Sequence, residues 1–241
     1  MIVFPAIDIK GGKCVRLKQG LMDQVTSYYD DPVFVAKMWQ DKGAKYLHVV
    51  DLDGAFNGSE MNFTIVKAIV DSVDIPVQIG GGIRTKETIG KYLSLGVNRV
   101  ILGTKAVENI DFIKEVCELY PNKICVSVDA KGDYVAIKGW VETSNTQVIP
   151  FCKTIIECGV STIVYTDISR DGMLSGPNLE MLSTLHTTLG IDIIASGGIA
   201  NIDNIRDLIS LNLYGAITGK ALYEETLTME EVNRLEEKGR I

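Results

Sequence analysis

The chain has 241 residues, 46% of them hydrophobic, which is enough to build one large domain around a substantial core. Its net charge of −7, from 24 basic and 31 acidic residues, argues against nucleic acid and anionic membranes as partners, because both require a basic face. No apolar run is long enough for a membrane span, and the start MIVFPAIDIKGG does not have the pattern of a signal peptide.

The five cysteines are scattered along the chain, are odd in number, and lack the spacing of a disulfide or zinc framework. Only two histidines are present, so a histidine-rich metal site is not expected. The composition therefore predicts buried free thiols, no metal centre, and a reducing cytoplasmic location.

Short β-branched runs alternate with amphipathic stretches along the whole chain. The predicted strands lie near Ile2–Ile7, Tyr46–Val50, Ile75–Ile79, Arg99–Leu102, Ile124–Val128, Thr162–Thr166, Ile191–Ala195 and Gly215–Thr218. Helical spacing between them is clearest in Pro32–Gly43 and Asn109–Tyr120. Strands that are apolar throughout indicate a parallel sheet covered on both faces. The pattern predicts an α/β fold, a single (β/α)8 TIM barrel domain over residues 1–241.

The second half of the chain resembles the first. VQIGGGIRTKETI (77–89) resembles IIASGGIANIDNI (193–205), with the glycine pairs 116 residues apart (197 − 81). DGAFNG (53–58) resembles DGMLSG (171–176), and AIDIKGG near the start is loosely matched by SVDAKGD (127–133). Gly103 also pairs with Gly219 at the offset of 116 residues. Chance similarity between two β/α units is the alternative, but four patches that agree in order favour a two-fold internal repeat.

The repeat predicts half-barrels at about 1–122 and 123–241, each with an anion site. Glycines after a strand let the backbone approach a ligand, and the next helix offers free N–H groups. Barrels commonly bind phosphate at the loops after strands 7 and 8. Here these loops contain Ser196, Gly197 and Gly198 after strand 7, and Gly219 and Lys220 after strand 8. The matching site of the first half consists of Gly81, Gly82, Gly103 and Thr104. The expected partner is a small molecule that carries a phosphate at each end.

Asp8 and Asp129 end the first and fifth predicted strands, on opposite sides of the ring. Facing carboxyl groups at this rim could act as general base and general acid on a sugar phosphate. Capping of a neighbouring loop is the alternative for each alone. Asp171, in the polar loop after the sixth strand, is a further candidate, and the Thr166 hydroxyl could orient a reactive carboxylate.

The remaining candidate substrate contacts each have an ordinary structural alternative. Arg16 could bind phosphate or lie solvated at the surface, and His48 could face the barrel mouth or be a satisfied core histidine. Trp140 could stack on a planar heterocycle or simply pack. Gly176, in the SGPN segment, is a further candidate phosphate contact.

Taken together, the motifs resemble those of a known enzyme family. PAIDIKGGKCVRL, HVVDLDGA, IGGGIR, VSVDAKG, YTDISRDGMLSGPN, ASGGI and TGKAL occur in the order found in the phosphoribosylformimino-5-aminoimidazole carboxamide ribotide isomerases of histidine biosynthesis. The resemblance covers essentially the whole chain. Met173 departs from it, since that family commonly has Thr after RDG.

The resemblance implies an Amadori rearrangement of an aminoaldose with a phosphate at each end, without metal or organic cofactor. It implies that Asp8 is the general base and Asp129 the general acid, with Asp171 as a rival for the acid and Thr166 in support. A monomer is expected, because no long apolar surface stripe stands out.

Three other functions remain open at this stage. The sister cyclase of imidazole glycerol phosphate synthesis shares the repeat and the phosphate sites, although its start is typically CLDVK-like rather than PAIDIK. An isomerase that also accepts phosphoribosylanthranilate is a second alternative. A barrel that binds a phosphosugar without catalysis is a third, disfavoured because binding needs neither strand-end aspartate.

Overall fold

The computed structural model describes residues 1–57 and 61–238. Gly58, the last residue of the first Asp-Gly motif, and residues 239–241, at the end of the predicted second half-barrel, lie outside the described residues. None of the helices within these two ranges has both the length and the apolar composition that a bilayer crossing needs.

The strands in these ranges are β1 (Ile2–Lys10), β2 (Lys13–Lys18), β3 (Leu21–Tyr29), β4 (Leu47–Asp51), β5 (Val77–Gly80), β6 (Arg99–Leu102), β7 (Ile124–Lys131), β8 (Tyr134–Ile137), β9 (Glu142–Gln147), β10 (Thr162–Asp167), β11 (Asp192–Ser196) and β12 (Gly215–Thr218). The helices are α1 (Pro32–Asp41), α2 (Leu52–Asn57), α3 (Phe63–Ser72), α4 (Lys86–Ser94), α5 (Thr104–Glu108), α6 (Ile110–Leu119), α7 (Val148–Glu157), α8 (Leu179–Leu189), α9 (Ile202–Ser210), α10 (Lys220–Tyr223) and α11 (Met229–Lys238).

Eight of these strands form a closed parallel barrel. The order around the ring is β1, β4, β5, β6, β7, β10, β11, β12, and β12 pairs with β1 to close it. Each of these strands corresponds to one predicted strand, and the predicted TIM barrel is confirmed. The prediction succeeds because helices cover the outside of the ring, so that both faces of each strand are buried and its sequence is apolar throughout.

Two antiparallel extensions were not predicted. β2 and β3 continue from β1, and β8 and β9 continue from β7, so each half of the chain has one. Asp8 and Asp129 therefore lie inside strands that continue beyond the predicted ends, since Asp8 pairs with Val15 across the first extension. β9 reads ETSNTQ, a polar and largely exposed sequence that resembles a loop.

The predicted helices Pro32–Gly43 and Asn109–Tyr120 are confirmed with slightly shorter bounds, as α1 and α6. Their starts follow from local chemistry. Asp31 accepts a hydrogen bond from the backbone N–H of Val33, and Asn109 does the same for α6. The buried faces of the helices pack on the outside of the barrel, while a separate apolar cluster fills its interior.

Candidate functional site

One cavity opens at the carboxyl-terminal rim of the barrel and collects most of the predicted site residues. The predicted residues that line it are Asp8, Arg16, His48, Gly81, Gly82, Gly103, Thr104, Asp129, Trp140, Thr166, Asp171 and Ser196. β1 and β7 lie opposite each other in the ring, so Asp8 and Asp129 enter the cavity from opposite walls.

The second-half phosphate residues lie beside this cavity rather than in its lining. Only Ser196 of that set lines it, and the others are Gly176, Gly197, Gly198, Gly219 and Lys220. The Arg16 guanidinium lies directly against Gly219, where a side chain would collide with it. The Lys220 Nζ donates a hydrogen bond to the carbonyl oxygen of Gly172 at 3.1 Å. In this structure Arg16 therefore stands between the second predicted anion site and the cavity.

The glycine pairs have a structural task in addition to the predicted one. Gly81 has a φ of 104°, and a Cβ there would run into the backbone of Asp51. Gly197 has a φ of 92°, and a Cβ there would lie 2.7 Å from the carbonyl oxygen of Asp167. In both halves the chain after the strand thus packs directly on the end of the preceding barrel strand, which only glycine allows.

In each half a hydrogen-bonded aspartate–asparagine pair connects the end of a barrel strand with the loop that follows it. The sequence analysis did not predict these pairs. The Asn62 Nδ2 donates to Asp51 at 2.7 Å, and the Asn178 Nδ2 donates to Asp167 at 2.8 Å. The two asparagines are 116 residues apart (178 − 62), the same offset as the glycine pairs. These hydrogen bonds satisfy carboxylates that are almost fully buried and fix the loops at the rim.

Asp8 forms an ion pair inside the cavity. The Arg16 Nη1 donates to its Oδ2 at 2.7 Å. Burial raises the pKa of Asp8, and the charge of Arg16 opposes that shift. Among the described residues the buried Nε of Arg16 has no hydrogen-bond partner, so the guanidinium retains a donor for an anionic ligand.

Asp129 is held by donors on neighbouring positions. The Ser127 Oγ donates to its Oδ1 at 2.7 Å, and the side chains of Trp140 and Thr166 also hydrogen-bond to it. Burial raises the pKa of Asp129, and these hydrogen bonds oppose the rise. Ser127 was not predicted, although its position two residues before Asp129 on the same strand puts both on one face.

Asp171 is a third carboxyl group in the same electrostatic environment. Burial raises its pKa to about 6; Arg16 opposes the rise, and the negative charges of Asp8 and Asp129 add to it. A carboxyl group with this pKa exchanges a proton near neutral pH. The cavity can therefore both accept and donate protons across a bound molecule.

His48 lines the cavity, and its ring also has a hydrogen-bond partner beneath the cavity floor. It therefore faces the barrel mouth and is at the same time a hydrogen-bonded core histidine. Its Nδ1 lies 2.9 Å from the Nε2 of Gln78. Burial lowers the pKa of His48 to about 3, with a further lowering by the charges of Arg16 and Arg99. The imidazole is therefore neutral at physiological pH.

The chain is similar to proteins of one known family over most of its length. The profile of a family described as "Histidine biosynthesis protein" matches residues 2–228. The chain is similar to a protein of Clostridioides difficile (47% identity over 98% of both chains) and to one of Alkaliphilus metalliredigens (51% identity over 93% of this chain and 94% of the relative). It is also similar to one of Lachnoclostridium phytofermentans, with 47% identity over 99% of this chain and 100% of the relative. All three are named 1-(5-phosphoribosyl)-5-((5-phosphoribosylamino)methylideneamino)imidazole-4-carboxamide isomerase.

Proposed function

Because the chain belongs to the histidine biosynthesis protein family, we propose that it catalyses the aldose–ketose isomerisation for which its relatives are named. The substrate is the aminoaldose N'-(5'-phosphoribosyl)formimino-5-aminoimidazole-4-carboxamide ribonucleotide, and the product is its phosphoribulosyl aminoketose. The observation that carries this assignment is similarity at 47–51% identity over nearly the full length of isomerases with that name.

The proposed chemistry is an Amadori rearrangement by general acid–base catalysis. An acid protonates the furanose oxygen, and the ring opens to a protonated imine that acidifies the proton on C2. Asp8 removes that proton, C1 gains one, and loss of the proton on the C2 oxygen gives the aminoketose. Asp8 suits the base because it lines the cavity opposite Asp129 and carries a raised pKa.

Asp129 is the proposed general acid, and Asp171 is the rival for that role. Burial favours the protonated form of Asp129, while hydrogen bonds from Ser127, Thr166 and Trp140 fix its orientation. Thr166 thus supports Asp129. The pKa of about 6 at Asp171 also suits a proton donor. No metal or organic cofactor enters these steps.

Two anion sites are proposed to hold the substrate by its ends. Gly81, Gly82, Gly103 and Thr104 line the cavity and would bind one phosphate. The other phosphate would bind to the second-half set of Gly176, Ser196, Gly197, Gly198, Gly219 and Lys220, with Arg16 beside it. Holding both ends would place the sugar between the carboxyl groups and convert binding energy into positioning.

The repeat, the assembly and the location are part of the same proposal. Half-barrels of about 1–122 and 123–241 would each supply one phosphate site, which the paired glycine contacts of Gly81 and Gly197 support. The protein would act as a monomer without nucleic acid or membrane partners, in keeping with its charge of −7. A cytoplasmic location is supported by five free cysteines, four of them buried.

The substitution Asp8→Asn tests the base. The amide keeps the shape of the side chain but cannot take the C2 proton, so turnover should fall by about 10⁴-fold while substrate still binds. Steady-state kinetics and calorimetric titration with substrate measure the two quantities. Asp74→Asn, an exposed carboxylate on the opposite rim, is the matched control. Near-wild-type turnover by Asp8→Asn would refute the assignment.

A further inference from the structure

A chain of polar side chains crosses the floor of the cavity on three adjacent strands. His48 on β4 is in register with Gln78 on β5, and Gln78 is in register with Arg99 on β6. Gln78 is fully buried and Arg99 is 6% exposed. Only His48 of the three lines the cavity, so Gln78 and Arg99 lie beneath its floor.

Arg99 determines which way the Gln78 amide points. Its Nη2 and Nε donate to the Gln78 Oε1 at 2.7 and 3.1 Å. A guanidinium has donors only, so the amide oxygen must face Arg99 and the amide nitrogen must face His48. That nitrogen lies 2.9 Å from the His48 Nδ1, which must then be the acceptor. The proton of the neutral ring is therefore on Nε2.

We propose that Gln78 and Arg99 are positioning residues that hold His48 as the neutral Nε2–H tautomer, and that this N–H donates a hydrogen bond to a sugar oxygen of the substrate beside Asp8. The substrate part of this inference rests on the proposed function. His48 is in register with Ala6, and Asp8 is two residues further along the same face of β1, so the imidazole and the base share one side of the cavity.

A neutral donor suits this place better than a charged one. A positive imidazolium would add a second cation to that of Arg16 beside Asp8, which would stabilise the Asp8 carboxylate further and make it a weaker base. A neutral imidazole can stabilise an oxygen that gains negative charge without that penalty, as the C2 hydroxyl oxygen does when it loses its proton to become the ketone. The low pKa of His48 and the two arginines that help to lower it agree with this role.

The second half of the barrel lacks the polar chain. At the offset of 116 residues, His48, Gln78 and Arg99 correspond to Val164, Ile194 and Gly215 (164 − 48, 194 − 78, 215 − 99). Val164 pairs with Ile194, and Ile194 pairs with Gly215, so the register is the same. The same three positions of the barrel can thus be occupied by residues without polar side chains. The polar version occurs only in the half that supplies the proposed base, which points to chemistry rather than folding.

The tautomer can be measured directly, because the chain has only His48 and His186. Two-bond ¹H–¹⁵N correlation spectra of the ¹⁵N-histidine-labelled full-length protein distinguish protonated from unprotonated ring nitrogens, and His186→Gln assigns the signals. We expect one ring at pH 7 with Nε2 protonated and Nδ1 unprotonated. A protonated Nδ1, a doubly protonated ring or a mixture of tautomers at His48 would overturn the proposal. The spectrum of the protein with unchanged Gln78 is sufficient for this test.

Gln78→Glu tests the positioning role. A carboxylate still accepts from Arg99 but cannot donate to His48, so the ring proton should move to Nδ1. We expect the reversed tautomer together with about a 100-fold lower kcat and a KM within a few-fold of wild type. Gln40→Glu is the matched control, because the Gln40 Oε1 accepts from the backbone N–H groups of Asp74 and Ile75, which a carboxylate can also do.

The outcomes separate the two proposals. An unchanged tautomer in Gln78→Glu would show that Gln78 does not set it, and a reversed tautomer with unchanged kcat would remove the catalytic role of the His48 N–H. If the wild-type protein does not isomerise the substrate, the proposed function fails. The spectrum of the resting protein would still decide whether Gln78 and Arg99 hold the Nε2–H form.

Discussion

At the scale of single residues, three carboxyl groups with raised pKa values share one cavity. Asp8 is paired with Arg16, Asp129 is held by three hydrogen-bond donors, and Asp171 is exposed to the charge of both other carboxylates. Since the three environments differ, the groups need not lose their protons together. That difference is the means by which one cavity can hold a base and an acid at once.

The acid assignment predicts unequal effects of two matched substitutions. Asp129→Asn should lower kcat by about 10²–10⁴-fold with a small change in KM, because the amide keeps the hydrogen bond from Ser127 but donates no proton to the ring oxygen. Asp171→Asn should lower kcat by about 10-fold, through the altered charge around Asp129. Steady-state kinetics on both variants decide the matter, and a larger loss in Asp171→Asn would transfer the acid role to Asp171.

Asp171 also makes a prediction about stability. Its pKa is about 6 in the folded protein and 3.8 for an unperturbed aspartate, so the folded state binds its proton more tightly than the unfolded state. Stability contributed by this group is complete below pH 4 and is lost as the pH rises through 6. Asp171→Asn should therefore increase the free energy of unfolding by about 3 kcal/mol at pH 8 and change it little at pH 4.

Urea denaturation of wild type and Asp171→Asn at the two pH values measures this difference. Asp74→Asn removes the same charge from an exposed position and serves as the control for net charge. An equal gain at pH 4 and pH 8, or a loss at pH 8, would contradict the raised pKa of Asp171.

At the scale of elements, the turn after β5 depends on close backbone packing. Gly81→Ala combines a positive φ with a collision against the Asp51 backbone, so we expect a loss of several kcal/mol or failure to fold. Gly190→Ala is the matched control, because Gly190 ends α8 at a φ of 65° with open space around it. It should cost only about 1 kcal/mol. Chemical denaturation compares the two, and equal costs would argue against the packing role.

The strands that the sequence predicted are the eight barrel strands, whose outer faces are covered by helices. β6 and β12 have the predicted bounds, because RVIL and GAIT are buried at every position. The antiparallel extensions were missed because partly exposed strands such as β9 carry polar residues that read as loop. Their pairing depends on the adjacent end of a barrel strand, which is a tertiary feature.

The sequence predicted the site residues that lie at the ends of barrel strands, because apolar runs show where those strands end. Asp8 and Asp129 follow apolar runs, which identifies the rim. Gln78 and Arg99 were missed. They could have been noticed in the sequence, because a glutamine and an arginine are unusual inside strands that are otherwise apolar and fully buried. Asn62 was not accessible in this way, because it reaches Asp51 only through the path of the loop between them.

At the scale of the whole molecule, the two halves are similar in their rim packing but differ in how open the two proposed anion sites are. The first-half glycines line the cavity, whereas Arg16 lies against Gly219 at the second site and binds Asp8. Because Arg16 has a free buried Nε donor within the described structure, an anion at the second site can bind it in place of Asp8. On the proposed function, each half would supply one anion site, and Arg16 would connect the second site with Asp8.

This arrangement predicts two bound anions in crystals grown with sulfate. One should lie at Gly81, Gly82, Gly103 and Thr104, and the other at Gly197, Gly198, Gly219 and Lys220, with the Arg16 side chain displaced toward it. Lys220→Met should weaken the second anion and leave the first, because Lys220 belongs to only one half. Crystallographic occupancies of the two anions in both proteins measure this. Density in only one half of the wild-type barrel would contradict a ligand held at both ends.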